Sequence, residues 1–191
     1  IKAFDLFPKP DFVYVSAYFF SYPGVIPEEP NGFLRRDVNS LFAGNAPFIL
    51  DKSVAMHVVK GYLNFSMPVA SNMQFSLISR RKINELIIGE EFFKSPFPDF
   101  YATPMLFLCS SKILVYPHPM VTIGITPKSY GYFHFNNRPV EGVGFLNNQF
   151  KEGYSKKILN TILPGTSYND SWLHANEALM RNYSSKFKMY P

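Results

Sequence analysis

Runs of β-branched and aromatic residues along the chain predict four strands. The longest such run covers residues 12–20 and follows Pro10. A run of this length and composition is typical of a buried strand. Three shorter runs with the same character predict strands at 75–78, 113–116 and 120–125, and we expect Pro117 and Pro119 to separate the last two.

Apolar residues at helical spacing predict helices between and after these strands. Asp51 or Ser53 can cap a helix that continues to about Leu63. Further helices are predicted at 33–42, 80–88 and 101–109, whereas residues 126–137 resemble a loop. Helical segments then follow at 139–150, 154–163 and 170–183, the last with an apolar stripe behind Asp170 as a candidate cap: Trp172, Ala175, Leu179 and Tyr183. This order indicates an α/β or α+β protein with a helical C-terminal tail.

Length and composition indicate one ordinary core. The chain has 191 residues, of which 47% are hydrophobic and 17% are charged. This balance excludes wholesale disorder, because enough apolar surface can be buried to offset the entropy of ordering the chain. Phe, Tyr and Trp together reach 17%, which predicts surfaces lined by aromatic rings.

The charge and the cysteine content indicate which kinds of partner and which cellular compartment are compatible with the chain. The net charge is +5, but the longest run of Lys and Arg has three residues, Arg80-Arg81-Lys82, so we expect no nucleic-acid partner. The basic excess suits a phosphate-bearing ligand or peripheral association with an anionic membrane, and equally an ordinary solvated face. The lone Cys109 excludes an internal disulfide and predicts a cytoplasmic protein.

Among the ionisable residues, Asp99 is the strongest candidate for a catalytic group. It follows Pro98 in an aromatic segment, which restrains the loop and limits solvent access. These conditions raise the basicity of a carboxylate. The alternative is an N-cap for the helix predicted at 101–109, and residue spacing alone favours the cap.

Three segments resemble the second half of family 2 glycosyltransferases of the GT-A fold. They are residues 68–81, residues 89–102 with a Gly, an aromatic pair and Pro-Asp, and residues 119–131 with a Pro and a Lys-Ser-x-Gly loop. The resemblance covers residues 1–135 and implies an α/β fold, a partial GT-A-like mixed sheet flanked by helices. Residues 136–191 would form a helical C-terminal extension.

The resemblance implies transfer of a sugar from a nucleotide-sugar to a hydroxyl of a carbohydrate or lipid-linked acceptor. Asp99 would be the general base, and Asn72, Lys128 and Ser129 would bind the acceptor. A divalent metal, Mn or Mg, would be held by an Asp-x-Asp motif and would stabilise the leaving diphosphate.

No Asp-x-Asp motif occurs in the chain, which starts at Ile1. We therefore expect a fragment that lacks the donor-binding half, is inactive alone and exposes an apolar patch that favours a homo-oligomer. The alternative is a non-catalytic carbohydrate-binding or protein-interaction module.

Overall fold

The computed structural model describes residues 9–37, 39–87, 92–93, 98–138, 140–142, 144–145 and 167–189. In this part of the chain a mixed sheet has five strands. They are β1 (Phe12–Ser21), β2 (Phe33–Arg36), β3 (Phe48–Ile49), β4 (Ser76–Ile78) and β5 (Ile113–Ile125).

The two longest strands, β1 and β5, are parallel neighbours at the centre of the sheet. At one edge, β4 pairs antiparallel with the beginning of β1 and β2 pairs antiparallel with its end. At the other edge, β3 pairs antiparallel with β5. The predicted mixed sheet flanked by helices is therefore confirmed.

The predicted strand residues 113–116 and 120–125 are confirmed, but their expected separation is wrong, because β5 runs without a break through both prolines. Its register against β1 shifts at this point: Val15 pairs with Tyr116, Ser16 with Pro119 and Ala17 with Val121. Pro117, His118 and Met120 lie between these pairs, so the ladder is irregular where the prolines occur.

The helices whose bounds the structure gives are α1 (Lys52–Leu63), α2 (Arg80–Leu86), α3 (Pro98–Cys109), α4 (Tyr130–Phe135), α5 (Ser167–Asn182) and α6 (Ser184–Met189). Local caps explain two starts. The Asp51 carboxylate accepts a hydrogen bond from the Ser53 amide at 2.7 Å, and the Ser79 hydroxyl accepts one from the Lys82 amide at 3.2 Å. The predictions of α1 and α2 are confirmed, but α2 ends at Leu86 and not at the predicted residue 88, because the backbone of Ile87 is extended.

Two other local predictions are wrong, and a third is correct except for one residue at its start. Residues 33–42 form β2 and a short 3-10 helix, Ser40–Phe42, instead of one helix, because β2 pairs with the end of β1. Residues 126–137 contain α4 instead of only a loop. Phe75 ends a 3-10 helix, Met73–Phe75, so the strand predicted at 75–78 begins one residue later.

Helices α1, α3 and α5 pack with the sheet around one large core. Phe12 of β1 meets Phe107 of α3 edge to face, with ring centroids 5.4 Å apart. The apolar stripe predicted at 172–183 is confirmed, because all four of its residues are buried in this core. Helix α5 begins at Ser167, so Asp170 lies inside the helix and is not its N-cap.

The remaining predictions about the C-terminal part are met only in places. Residues 140–142 and 144–145 are helical, while the segment 154–163 lies outside the described residues. The domain boundary at 135/136 stays a prediction. None of the helices in the described ranges is long and apolar enough to cross a bilayer.

Candidate functional site

A cleft of about 970 Å³ lies where the two parallel strands end. The end of β1 contributes Phe19, the end of β5 contributes residues 123–125, and β2 forms one wall. Helix α4 and the first turn of α3 close the other sides. The carboxyl ends of parallel strands are where α/β sheets commonly bind ligands, because the connecting segments diverge there and leave a crevice.

Aromatic rings make up much of the cleft surface. Phe19 and Phe33 come from β1 and β2, and Tyr130 and Phe135 come from α4. The side chain of Phe135 is 46% exposed. Aromatic rings that line a cleft suit flat, partly apolar ligand faces such as those of sugar rings.

The cleft also contains Asp99, in the first turn of α3. Helix α3 begins at Pro98 instead of the predicted residue 101, so Asp99 lies within the helix and not at the flanking cap position. Burial raises the pKa of Asp99 to about 6, and a hydrogen bond from the backbone N–H of Met73 limits that rise. At neutral pH this carboxylate is ionised and more basic than an ordinary one.

Two of the three predicted acceptor-binding residues lie in the same cleft as Asp99. Asn72 lines it, and its side-chain oxygen accepts a hydrogen bond from the Gln74 amide at 2.8 Å. Ser129 also lines it, and its hydroxyl donates to the Thr126 carbonyl at 2.8 Å. The structure thus brings together residues that are 27 to 57 positions apart in the sequence, counted between 72, 99 and 129.

Lys128 is exposed, and it is not among the residues that line the cleft. Its amide is bonded to the Thr126 hydroxyl at 3.3 Å in the turn that precedes α4. The structure therefore does not bring this predicted residue together with the others.

Charged residues at the rim were not identified from the sequence. Arg35 forms an ion pair with Glu29, and the Arg36 guanidinium donates to the Pro117 carbonyl at 2.7 Å. The Asp37 carboxylate accepts a hydrogen bond from the side-chain Nδ2 of Asn39 at 2.9 Å. Only the Arg35-Arg36 doublet marked this region in the sequence, and a doublet alone does not distinguish a rim from a solvated face.

The described residues do not fit the divalent metal that the resemblance implies. No group of three or more His, Cys, Asp or Glu side chains converges anywhere in the described ranges. In the cleft, the carboxylates of Glu29, Asp37 and Asp99 each accept hydrogen bonds from a different segment. They are not arranged as a ligand set, and no chemical step is assigned to a metal here.

A second buried carboxylate, Asp11, lies away from the cleft. It accepts hydrogen bonds from the Ser111 amide at 2.8 Å and the Lys112 amide at 3.1 Å, and it pairs with Arg81. Burial alone would raise the pKa of Asp11, but these donors and the nearby Lys82 lower it to about 2. The sequence analysis missed this residue because its donors come from segments far along the chain.

Two lysines complete this cluster at the carboxyl end of α3. The Lys52 ammonium donates to the carbonyls of Phe107, Leu108 and Ser110 at 2.6 to 2.9 Å. The Lys82 ammonium donates to the Cys109 carbonyl at 3.2 Å. Cations here stabilise the helix because its last carbonyls lack intrahelical partners.

Comparisons of the chain with models of protein families, with curated proteins and with solved structures gave no significant match. The likeness to family 2 glycosyltransferases therefore rests on the three sequence segments that carry it.

Proposed function

We propose that this chain is the acceptor-side part of a GT-A-like glycosyltransferase in which Asp99 is the general base. The observation that carries the proposal is the place of Asp99. It is a half-buried carboxylate with a pKa raised to about 6, and it lies in a cleft at the carboxyl ends of two parallel strands. A carboxylate that acts as a general base must be ionised at neutral pH, and poor solvation makes it more basic.

The proposed reaction forms one bond and breaks one. The acceptor hydroxyl oxygen attacks the anomeric carbon of the donor sugar, and the bond from that carbon to the diphosphate oxygen breaks. The electron pair of the broken bond leaves with the nucleoside diphosphate. The hydroxyl proton moves to the Asp99 carboxylate, which must be within hydrogen-bond reach of the hydroxyl.

Other features of the cleft support a carbohydrate acceptor. Tyr130 and Phe135 offer ring faces on which a sugar ring can stack, and the Asn72 side-chain amide can donate to a sugar hydroxyl. A volume of about 970 Å³ is at the upper end of ordinary ligand pockets. The proposal assigns only the acceptor side to this chain, because the described residues bring together no metal-binding set for a donor diphosphate.

The test uses the complete natural protein that contains this chain. It is incubated with a panel of nucleotide-sugars, oligosaccharide and lipid-linked acceptors, and Mn²⁺ or Mg²⁺, and release of nucleoside diphosphate is measured. With the pair that reacts, Asp99→Asn should lower turnover by about 10²–10⁴-fold, because the amide keeps the shape and loses the basicity. Full activity of this variant would contradict the proposal.

Asp51→Asn is the matched control. Asp51 is the N-cap of α1 and is not among the residues that line the cleft, and asparagine caps helices as well as aspartate does. The same carboxylate-to-amide change should therefore leave turnover unchanged.

A non-catalytic carbohydrate-binding module is the second candidate, and the exposed ring of Phe135 favours it. NMR titration with oligosaccharides separates the two functions. Shifts at the cleft residues without any transfer, and equal affinity in the wild type and Asp99→Asn, would favour the binding module.

A further inference from the structure

Two chain segments that follow the central strands form opposite sides of the cleft. The β1–β2 loop (residues 22–32) follows β1, and the α4 segment (residues 126–137) follows β5. The last paired residues of the two parallel strands are Ser21 and Ile125, so both segments leave the sheet at the same edge. The loop lines the cleft with Ile26, Glu28 and Glu29, and the α4 segment lines it with residues that include Tyr130 and Phe135.

The backbone of the α4 segment fixes the end of its helix. The Asn137 amide donates to the His134 carbonyl at 3.2 Å. The Arg138 amide donates to the Phe133 carbonyl at 2.8 Å. Asn137 has a φ of 53°, the left-handed conformation that commonly follows a helix closed by such a pair of bonds. The end of α4 therefore keeps its shape through its own hydrogen bonds.

The β1–β2 loop is also fixed by bonds within itself. The Gly24 amide donates to the Pro30 carbonyl at 3.1 Å, and the Gly32 amide donates to the Glu29 carbonyl at 2.9 Å. At Gly32 the φ is +69°, and a Cβ would lie 2.3 Å from the Ser21 carbonyl oxygen, so this turn requires glycine. The loop and the α4 segment are thus two locally rigid pieces on either side of the cleft.

The side chain of Asn136 connects these two pieces. Its Nδ2 donates to the Val25 carbonyl of the loop at 2.9 Å and to the Tyr132 carbonyl of α4 at 2.8 Å. Asn136 is the residue that caps the carboxyl end of α4, and both it and Val25 are half-buried. Asn136 is not among the residues that line the cleft, so it reaches across beside the ligand space and not into it.

We propose that Asn136 is a positioning residue that fixes the width of the cleft by connecting the β1–β2 loop to the α4 segment. Segments that leave neighbouring parallel strands diverge and open a crevice between them. A hydrogen bond across the crevice limits how far they separate. The effect on acceptor binding rests on the proposed function. The connection between the two segments does not.

The width of the cleft matters for a ring-shaped, polyhydroxylated ligand. On one side, the Phe135 ring can stack on the apolar face of a sugar. On the other side, the Glu28 carboxylate can accept hydrogen bonds from sugar hydroxyls. One sugar ring makes both contacts only while the two sides keep their separation. The connected cleft therefore favours an acceptor that presents an uncharged sugar ring.

The experiment measures amide hydrogen exchange by NMR in Asn136→Leu and Asn136→Asp. Leucine has a similar size and no donor, and aspartate keeps the shape but replaces the donor with an acceptor. We expect the loop amides of Gly24 and Gly32 to exchange about tenfold faster, because the loop separates from α4 more often. A role of Asn136 confined to capping its own helix would accelerate exchange at the end of α4 and leave the loop unchanged.

Asn182→Leu is the matched control. Asn182 is the last residue of α5, is half-buried, and donates through Nδ2 to the Tyr101 hydroxyl at 3.0 Å. This variant removes the same kind of bond at the same end of a helix, away from the cleft. The exchange of Gly24 and Gly32 should therefore remain as in the wild type.

The outcomes separate this inference from the proposed function, because the exchange measurement needs no substrate. Unchanged exchange in the loop in both Asn136 variants would overturn the connection, even if the protein is an active transferase. Faster exchange in the loop would support it, even if no transfer is found. If one variant does not fold, the other decides.

Kinetics test the effect on binding, with the oligosaccharide acceptor that reacts in the activity panel as the probe. The KM for this acceptor should rise about tenfold in Asn136→Leu while kcat changes little, because Asp99 lies on α3 and outside both segments. A KM equal to that of the wild type, or an equal rise in Asn182→Leu, would overturn the positioning role of Asn136.

Discussion

Charged side chains near the two ends of α3 differ in how many hydrogen-bond partners they have. At the carboxyl end, Lys52, Lys82 and Asp11 each bind several partners. These bonds connect the helix to α1, α2 and the start of β5. At the amino end, Asp99 faces a cleft and accepts a hydrogen bond from the Met73 amide.

The difference is visible in the two carboxylates. Asp11 is less exposed to solvent than Asp99, yet its pKa falls to about 2, whereas the pKa of Asp99 rises to about 6. Asp11 has several fixed donors and a nearby lysine, and each of them stabilises the ionised form and offsets the cost of burial. A carboxylate with many donors stabilises the fold, and one with few keeps the basicity that chemistry needs.

The largest effect on stability is expected from Asp11→Ala. The substitution leaves the amides of Ser111 and Lys112 without their acceptor and removes a counter-charge beside the buried Lys82 ammonium. We expect a loss of about 3–5 kcal/mol, measured by urea unfolding, as for other buried pairs that lose one partner. The control is Glu85→Ala, which removes the exposed partner of Lys82 and should cost less than about 1 kcal/mol. Equal effects of the two substitutions would break the contrast between the ends of α3.

A smaller loss is expected from Lys52→Met, which removes hydrogen bonds to two carbonyls in the last turn of α3 and to the carbonyl of Ser110, which follows the helix. Methionine keeps the length of the side chain, so the change isolates the ammonium group. We expect a destabilisation of about 2 kcal/mol. Lys128→Met, at an exposed lysine, is the matched control and should change the free energy of unfolding little. A Lys52 variant as stable as this control would show that the ammonium does not lock the helix.

The pH dependence of Asp11 should stabilise the fold as pH rises. The pKa of Asp11 is about 2 in the folded protein against 3.8 ordinarily, so the unfolded chain binds more protons between these values. The free energy of unfolding should therefore gain about 2 kcal/mol from this group between pH 2 and pH 4, and lose it again as pH falls through 2. Urea unfolding of the wild type and Asp11→Asn over this range measures the gain. Parallel curves would contradict it.

Asp99 should have the opposite pH dependence in a different window. Its folded pKa of about 6 exceeds the ordinary 3.8, so the folded protein binds more protons between pH 4 and pH 6. Its contribution to stability should fall by about 1–2 kcal/mol as pH rises through this window, after allowance for its contact with solvent. Relative to Asp99→Asn, the wild type should thus be less stable at pH 7 than at pH 4. A difference between the two proteins that does not change with pH would show that burial does not raise this pKa.

The smallest effect is expected from Ser79→Ala. The Ser79 hydroxyl caps α2, the helix that carries Arg81 and Lys82 to Asp11. Loss of a serine cap costs about 1 kcal/mol. Ser79→Thr keeps the hydroxyl and should restore most of the stability, measured by thermal unfolding. Equal stability of the alanine and threonine variants would contradict the capping role.

Local signals in the sequence were sufficient where an element depends on its own residues. The cap at Asp51 and the apolar stripe from Trp172 to Tyr183 each identified a helix that the structure contains. The run at 12–20 likewise identified β1, because a buried central strand has a continuous apolar composition.

Prediction failed where pairing partners decide the conformation. Residues 33–36 have helical spacing but become a strand because the end of β1 offers unpaired backbone groups. Pro117 and Pro119 would interrupt a regular strand, but the register shift against β1 accommodates them. Neither effect can be identified without knowing which segments are neighbours.

The candidate site shows the same division. The sequence by itself singled out Asp99 and, through the resemblance, Asn72 and Ser129, and it determined which side chains were able to do the chemistry. Only the tertiary structure decided that these three line one cleft while Lys128 does not, and that Asp11 is fixed by donors about 100 positions away. The physical reason is that the basicity of a carboxylate depends on the hydrogen-bond donors and the solvent around it, and that the fold decides which side chains line the cleft. These are properties of the packed neighbours and not of the residue itself.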